Sequence, residues 1–298
     1  MSSSSTQPVN VVGIISKPSA HAAVALAPSL VEWLLGRGIQ VRYDEPTAFY
    51  LGRSDGLPRE QVPEGAQLVI VLGGDGTLLS AARAIAGREL PIFPVNLGGL
   101  GFLTAFSVQD VYPELERALR NEHRIAERRM LACHLVRDGK VIAEYEALND
   151  VVLTKAALAR MIDLETHVDS HLVCTYKADG LIICTPTGST AYSLSAGGPI
   201  ISPKSDVIVL APICPHTLTA RPIILPDSGV IKIKVESKVP IILTADGNSN
   251  IKLKSTATIE IKKAHYKIKL AKQLDSNYFR VLNQKLLWGV DVRKNKKQ

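Results

Sequence analysis

None of the four cysteines, Cys133, Cys174, Cys184 and Cys214, stands in a Cys-x-x-Cys pair, and each has apolar neighbours. A zinc site or a disulfide framework is therefore unsupported, and reduced, half-buried thiols are expected. No apolar run reaches the roughly 18 residues that span a bilayer, so no membrane partner is expected. The start of the chain, Met1 to Gln7, is polar and Ser-rich. It lacks the basic opening and long apolar stretch of a secretory signal, and residues 1–8 read as a disordered leader of a cytoplasmic protein. No Gly-x-x-x-x-Gly-Lys-Ser/Thr occurs, which removes the P-loop class of nucleotide binders. No internal repeat is visible.

Charge is present but uneven. The chain of 298 residues carries a net charge of +7. From Lys252 onward there are 13 Lys and Arg against 3 Asp and Glu. A basic end can mark nucleic-acid binding. Here Lys252-Leu-Lys and Lys267-Ile-Lys alternate charged with apolar residues, as on the solvated face of a strand. Aromatics to stack bases are few there, so no nucleic acid is expected. An anionic nucleotide ligand or plain solubility explains the charge as well.

The length suggests two domains. Val9–Ile15, Ile39–Tyr43, Leu68–Leu72 and Ile92–Asn96 read as strands, the third a continuous apolar run of the kind covered on both faces. His21–Gly36, Thr77–Ala86 and Tyr112–Arg120 have helical spacing; Pro28 marks a first turn or a kink in the first of them. This order implies an α/β domain with a parallel sheet over residues 9–125. Near Ile125 the character changes. Short alternating strands with turn signals follow, among them Ala132–Arg137, Lys140–Leu148, Val230–Glu236, Ile241–Thr244 and Thr256–Ile261. Residues 126–275 are expected to be mainly β and sandwich-like. Tyr278–Leu287 looks helical again, and 276–298 would return to the first domain before the basic tail Arg293–Lys297.

The sharpest feature is Gly73-Gly74-Asp75-Gly76-Thr77, which follows a buried strand and opens a helix. Ligands of open α/β sheets bind at the carboxyl ends of strands. Glycines let backbone approach a ligand, and helix N-terminal amides offer donors to phosphate. A lone carboxylate would repel phosphate there. It makes sense if Asp75 accepts a proton from an attacking hydroxyl or holds a cation; the plainer alternative is that it caps the helix at Thr77. This segment is not Gly-x-Gly-x-x-Gly either. A second glycine-rich segment, Asn96-Leu-Gly-Gly-Leu-Gly-Phe-Leu103, would make a second wall of one cleft, or else a flexible loop. Asn149-Asp150 is by itself a turn signal. Tyr176-Lys177-Ala178-Asp179-Gly180 leads through Leu181–Cys184 into Thr185–Pro199. That last stretch, rich in small residues and hydroxyls, can read a base edge or an amide at close range, or else is a Gly/Ser-rich connection.

Together these segments resemble the bacterial NAD kinase family. The resemblance rests on Gly-Gly-Asp-Gly-Thr, Asn-Leu-Gly-Gly-Leu-Gly-Phe-Leu, Leu148-Asn-Asp, and Asp179-Gly-Leu-Ile-x-x-Thr-Pro-Thr-Gly-Ser-Thr-Ala-Tyr-Ser-Leu-Ser-Ala-Gly-Gly-Pro199. It extends through Pro215-His-Thr-Leu-Thr-Ala-Arg-Pro222 and Leu282-x-x-Lys-Leu-x-Trp-Gly289. Gly-Gly-Asp-Gly-Thr alone is shared with diacylglycerol kinases and 6-phosphofructokinases, so Thr185–Pro199 discriminates. The resemblance implies an α/β domain followed by a β-sandwich-like domain, NAD bound between them, and phosphorylation of the adenosine 2′-hydroxyl by ATP or polyphosphate with a divalent cation, Mg²⁺ expected. It implies Asp75 as the catalytic aspartate, with Gly76, Leu79 and Phe102 lining the pocket and Gly74 a further candidate. Asn149 and Asp150 would bind the dinucleotide and Asp179 the nicotinamide end, with Lys177 possible. Thr187, Thr190, Ala191, Tyr192 and Ser195 would meet the adenosine and ribose. The family works as homo-oligomers, dimers or tetramers. Asp246-Gly247-Asn248 departs from the family's usual Asp-Gly-Gln, which leaves the role of Asn248 open. The rivals are a lipid or sugar kinase with the same glycine turn, and a dinucleotide sensor without turnover.

Overall fold

A computed structural model describes residues 9–99, 101–156, 161–236, 239–253 and 256–288. The leader, Leu100, Gly289 and the basic tail lie outside the described residues. Contacts divide the chain into two units, Met1–Ala126 with Lys269–Gln298, and Glu127–Ile268.

The first unit begins β1 (Val11–Ser16), α1 (His21–Leu35), β2 (Gln40–Tyr43), α2 (Glu45–Tyr50), β3 (Leu68–Gly73), α3 (Asp75–Ile85), β4 (Pro91–Asn96), β5 (Phe106–Ser107) and α4 (Val111–Leu119). The strands β2, β1, β3, β4 and β5 pair in that order, all parallel. Every residue of β3 is buried, as expected for a central strand covered on both faces. In α1 the buried residues Ala23, Leu26, Ala27, Leu30, Val31 and Leu34 follow the helical period and seat the helix on the sheet. Pro28 lies inside α1, not in its first turn. Phe93 of β4 stacks on Phe106 of β5 with ring centroids 4.0 Å apart. The short α2 was not legible. Its start is built from Asp44, a fully buried carboxylate that accepts N–H bonds from Thr47 and Ser16 and pairs with Arg59 at 3.0 Å.

The second unit contains most of β6 (Arg124–Arg137), then β7 (Lys140–Ala147), β8 (Asp150–Lys155), β9 (Ile162–Val168), β10 (His171–Ala178), β11 (Gly180–Cys184), α5 (Tyr192–Ser195), β12 (Val207–Ile213), β13 (Ile223–Pro226), β14 (Ile231–Glu236), β15 (Ile241–Ala245), β16 (Asn248–Leu253) and most of β17 (Thr256–Lys272). Two antiparallel sheets form. One runs β13-β12-β11-β8-β15-β16, the other β10-β9-β14-β17 with the β6–β7 hairpin beside it. Alternate residues of both, such as Val151, Leu153, Leu181, Ile183, Ile233 and Ile259, share one core, which is the packing of a sandwich. The last residues of β17 belong to the first unit, where Lys269 and Leu270 pair in parallel with Pro91 and Ile92 of β4, and α6 (Tyr278–Leu286) follows.

The lysines of the C-terminal strands are not bare charge. Lys232, Lys234, Lys263, Lys267 and Lys269 pair with Glu260, Glu165, Asp227, Glu127 and Glu89. No helix among the described residues is long and apolar enough to cross a membrane.

Candidate active site

In the first unit the carboxyl ends of β1, β3 and β4 surround a cavity of about 500 Å³. Its lining includes Lys17, His21, Gly73, Gly74, Asn96 and Gly98, so both glycine-rich turns reach one space. The glycines divide by cause. A side chain on Gly73 would strike Thr77 Oγ1 at 2.3 Å, and one on Gly101 would strike Asp75 Oδ1 at 2.3 Å, so the fold itself requires both. At Gly74, Gly76, Gly98 and Gly99 a Cβ would meet nothing within 4 Å among the described residues, and their φ angles are not left-handed. Packing does not explain those four glycines, whereas the approach of a ligand to bare backbone would.

The helix α3 begins at Asp75 rather than at Thr77, with Gly74 at its N-cap and no side-chain cap. Asp75 therefore does not cap it. Its carboxylate turns instead to the next loop. Oδ2 accepts the N–H of Phe102 at 2.9 Å; Oδ1 accepts those of Leu103 at 3.1 Å and Thr104 at 3.2 Å and lies 3.4 Å from the Thr104 hydroxyl. Three successive amides fix the carboxylate in place. Oδ2, with one donor among the described residues, keeps a lone-pair direction open. Asp75 and Phe102 are half-buried, Gly76 is exposed, and Leu79 is half-buried one turn along α3. Lys285 of α6 stands 5.7 Å from the centre of the Phe102 ring.

The second unit has its own cluster at the start of β8. Asp246, in the left-handed turn between β15 and β16, accepts the N–H groups of Leu148 at 2.9 Å, Asn149 at 2.7 Å and Asp150 at 3.3 Å. Thr185 donates its hydroxyl to the Leu148 carbonyl at 2.6 Å and its amide to the Asn149 carbonyl at 2.9 Å. Gly188 passes so close to Asn149 that a side chain would lie 2.1 Å from its carbonyl oxygen. Asn149, Asp150 and the Thr187 segment are thus one assembly. Asp150 is buried, and burial first, then the Asp246 charge, pushes its carboxyl up to about 7. Thr190 bonds back to Thr187, Ala191 is half-buried, and Tyr192 and Ser195 of α5 are exposed. Beside them Ser193 Oγ is buried next to the Cys184 thiol.

Asp179 is elsewhere. It precedes β11, whose other end leads into Thr185, and Gly180 pairs with Thr154 while Cys184 pairs with Asp150. The two ends of β11 are roughly 13 Å apart along the strand. At its own end Asp179 is paired with Lys155 at 2.5 Å, and exposed Lys177 lies nearby in sequence. Asn248 is exposed at the start of β16. Lys17, Lys155 and Asp246 were missed as parts of these clusters. Asp246 carried a signal, since a carboxylate before glycine suits a left-handed turn; Lys17 and Lys155 carried none.

The comparisons match this division. The ATP-NAD kinase N-terminal domain model covers residues 12–123 and the ATP-NAD kinase C-terminal domain model residues 148–273. The chain belongs to the ATP-NAD kinase family. An NAD kinase of Solibacter usitatus is 56% identical over 284 residues, covering 94% of this chain and 98% of that protein. One of Geotalea daltonii is 47% identical, covering 93% and 98%. Among solved structures, the yeast NADH kinase complexed with NADH has a TM-score of 0.88 at 27% identity, covering 96% of this chain and 89% of that one. An NAD kinase from Archaeoglobus fulgidus in complex with ATP has a TM-score of 0.75 at 26% identity, covering 93% and 98%. Kinase membership therefore rests on both units, not on the shared glycine turn alone.

Proposed function

We propose that this chain transfers the γ-phosphoryl group of ATP to the 2′-hydroxyl of the adenosine ribose of NAD, giving NADP and ADP. The observation that carries the reading is the Asp75 carboxylate, held in place by three amides next to a cavity lined with glycines that packing does not require. Among the described residues no three His, Cys, Asp or Glu gather into a metal site. The divalent cation, Mg²⁺ by expectation, is accordingly read as part of the ATP substrate. The cavity suits its phosphates, since Lys17 lines it together with Ala20 and His21 at the opening of α1 and Gly74 at the opening of α3, where helix N-terminal amides favour an anion. Asp75 Oδ2 takes the proton of the ribose hydroxyl as it attacks the phosphorus, a role worth about 10²–10⁴ in rate. The fixed amides and the cation meet the charge that develops on the transferring group.

On the acceptor side we assign Asn149, Asp150, Thr187, Thr190, Ala191, Tyr192 and Ser195 to the adenosine half of NAD, and Gly76, Leu79 and Phe102 to the pocket beside Asp75. Asp179 is assigned to the nicotinamide end. Its distance along β11 from the Asn149 cluster supports a homo-oligomer, in which a second copy brings its own Asp179 to this cluster. A cytoplasmic enzyme fits the substrates.

The test is NAD lacking the adenosine 2′-hydroxyl. One lost neutral hydrogen bond costs about 0.5–1.5 kcal/mol, so the analogue should bind within roughly tenfold of NAD. It should inhibit competitively and yield no phosphorylated product by mass spectrometry, and light scattering of the same sample should give a mass above that of one chain. A phosphorylated analogue would show that another hydroxyl is the acceptor.

A further inference from the structure

The side chain of Lys272 is buried and its ammonium donates to the Leu103 carbonyl oxygen at 2.8 Å. That carbonyl and the Thr104 N–H are the two ends of one peptide group, and the Thr104 N–H donates to Asp75 Oδ1 at 3.2 Å. In a trans peptide the C=O and N–H point in opposite directions. Lys272 and Asp75 therefore stand on opposite sides of a single peptide, a cation at its oxygen and an anion at its hydrogen. Each bond polarises the peptide in the sense that strengthens the other. The same loop is held a second time from the C-terminal part of the unit, by Lys285 over the Phe102 ring.

We propose that Lys272 is a positioning residue for phosphoryl transfer, acting through the Leu103–Thr104 peptide on Asp75. The inference rests on the reading of Asp75 as the base. By anchoring the peptide, Lys272 keeps Oδ1 engaged with the loop and leaves Oδ2, which accepts the Phe102 N–H, with a further lone-pair direction open. Without it the peptide can rotate, the Thr104 amide leaves Oδ1, and the carboxylate loses its fixed orientation. Substrate binding does not depend on that orientation, but proton transfer does. The loss should therefore fall on kcat, and a misplaced catalytic group costs up to about a hundredfold. Lys272 comes 197 positions after Asp75 in the sequence and lies at the end of a strand most of which belongs to the other unit.

The experiment compares the full-length protein with Lys272→Met, Lys272→Gln and Lys272→Arg, measuring kcat, KM for NAD and melting temperature. Lys272→Met should lower kcat about ten- to a hundredfold with KM for NAD changed less than about threefold. Lys272→Gln, which retains a donor without the charge, should fall between. Lys272→Arg, which retains both, should return kcat to within about threefold of wild type. If Lys272→Met does not fold, the Gln and Arg variants carry the same ordering. A Lys272→Met or Lys272→Gln enzyme with wild-type kcat, or one in which kcat and KM worsen together and Arg does not rescue, overturns the proposal. Asp75→Asn is run alongside. Near wild-type turnover there would remove the base assignment itself, whereas loss in Asp75→Asn with no effect at Lys272 removes only the present inference.

Discussion

In the α/β unit the Asp75 carboxylate gathers the N–H groups of Phe102, Leu103 and Thr104; in the β unit the Asp246 carboxylate gathers those of Leu148, Asn149 and Asp150. The local device is the same, one aspartate binding three successive amides of a loop distant in sequence. Its setting differs. Asp75 opens a helix between glycines, and Gly74 beside it lines a cavity with Lys17. Asp246 sits in a left-handed turn, and the loop it gathers carries a second, buried carboxyl that it helps to keep protonated. A hydrogen-bond pattern alone therefore does not separate the carboxylate we propose as the base from an anchoring one. What separates them is the surroundings: open space and helix amides at Asp75, a packed loop and a neighbouring acid at Asp246.

The largest effect should come from Asp75→Asn. An amide cannot accept a proton from the ribose hydroxyl, so turnover should fall about 10²–10⁴-fold in a coupled assay of NADP formation. The amide nitrogen also replaces one acceptor, leaving one loop N–H without its partner, at a cost of about 1–3 kcal/mol in stability. Asp246→Asn meets the same structural loss and should show a similar drop in denaturant midpoint. Its kcat should stay within about tenfold of wild type, with the damage appearing in KM for NAD as Asn149 and Asp150 lose their support. Equal losses of kcat in the two variants would erase the distinction and make Asp75 another anchor.

Much of this was legible in advance. The continuous apolar run Leu68–Leu72 and the periodic apolar face of α1 placed the parallel sheet, and the glycine turn after β3 placed Asp75 at the carboxyl edge. Alternation marked the β region, because each strand there shows one face to the shared core. What was illegible depends on contacts between distant residues. The short α2 has no apolar period of its own and is started by Asp44, which is held by Arg59 and Ser16. The thirteen basic residues of the C-terminal stretch looked unopposed because partners such as Glu89 and Glu127 stand far earlier in the chain. The Asp75 clamp was hidden for the same reason, since its donors lie 27 to 29 positions away. Nor could spacing show that Asp179 and Asn149 occupy opposite ends of the β8–β11 pair, since that follows only from their antiparallel register.

The smallest effect in this set concerns the neighbour that Asp246 influences. Asp150 is 5% exposed, and its carboxyl is raised from 3.8 to about 7 by burial first and by Asp246 second. An acid raised in the folded state holds its proton there between those two values while the unfolded chain releases it. The stability it contributes is complete below about pH 3.8 and is lost as pH rises through about 7. Asp150→Asn does not titrate, so the stability of wild type relative to this variant should decline from pH 5 to pH 8, by about 2 kcal/mol. Urea midpoints at intervals across that range would measure it. In an Asp246→Asn background the decline should persist but shrink, because burial remains and the second charge is gone. A difference that stays flat from pH 5 to 8 would mean that Asp150 ionises as an ordinary surface carboxylate. It would also mean that Asp246 anchors its loop without setting the charge of the acid it holds.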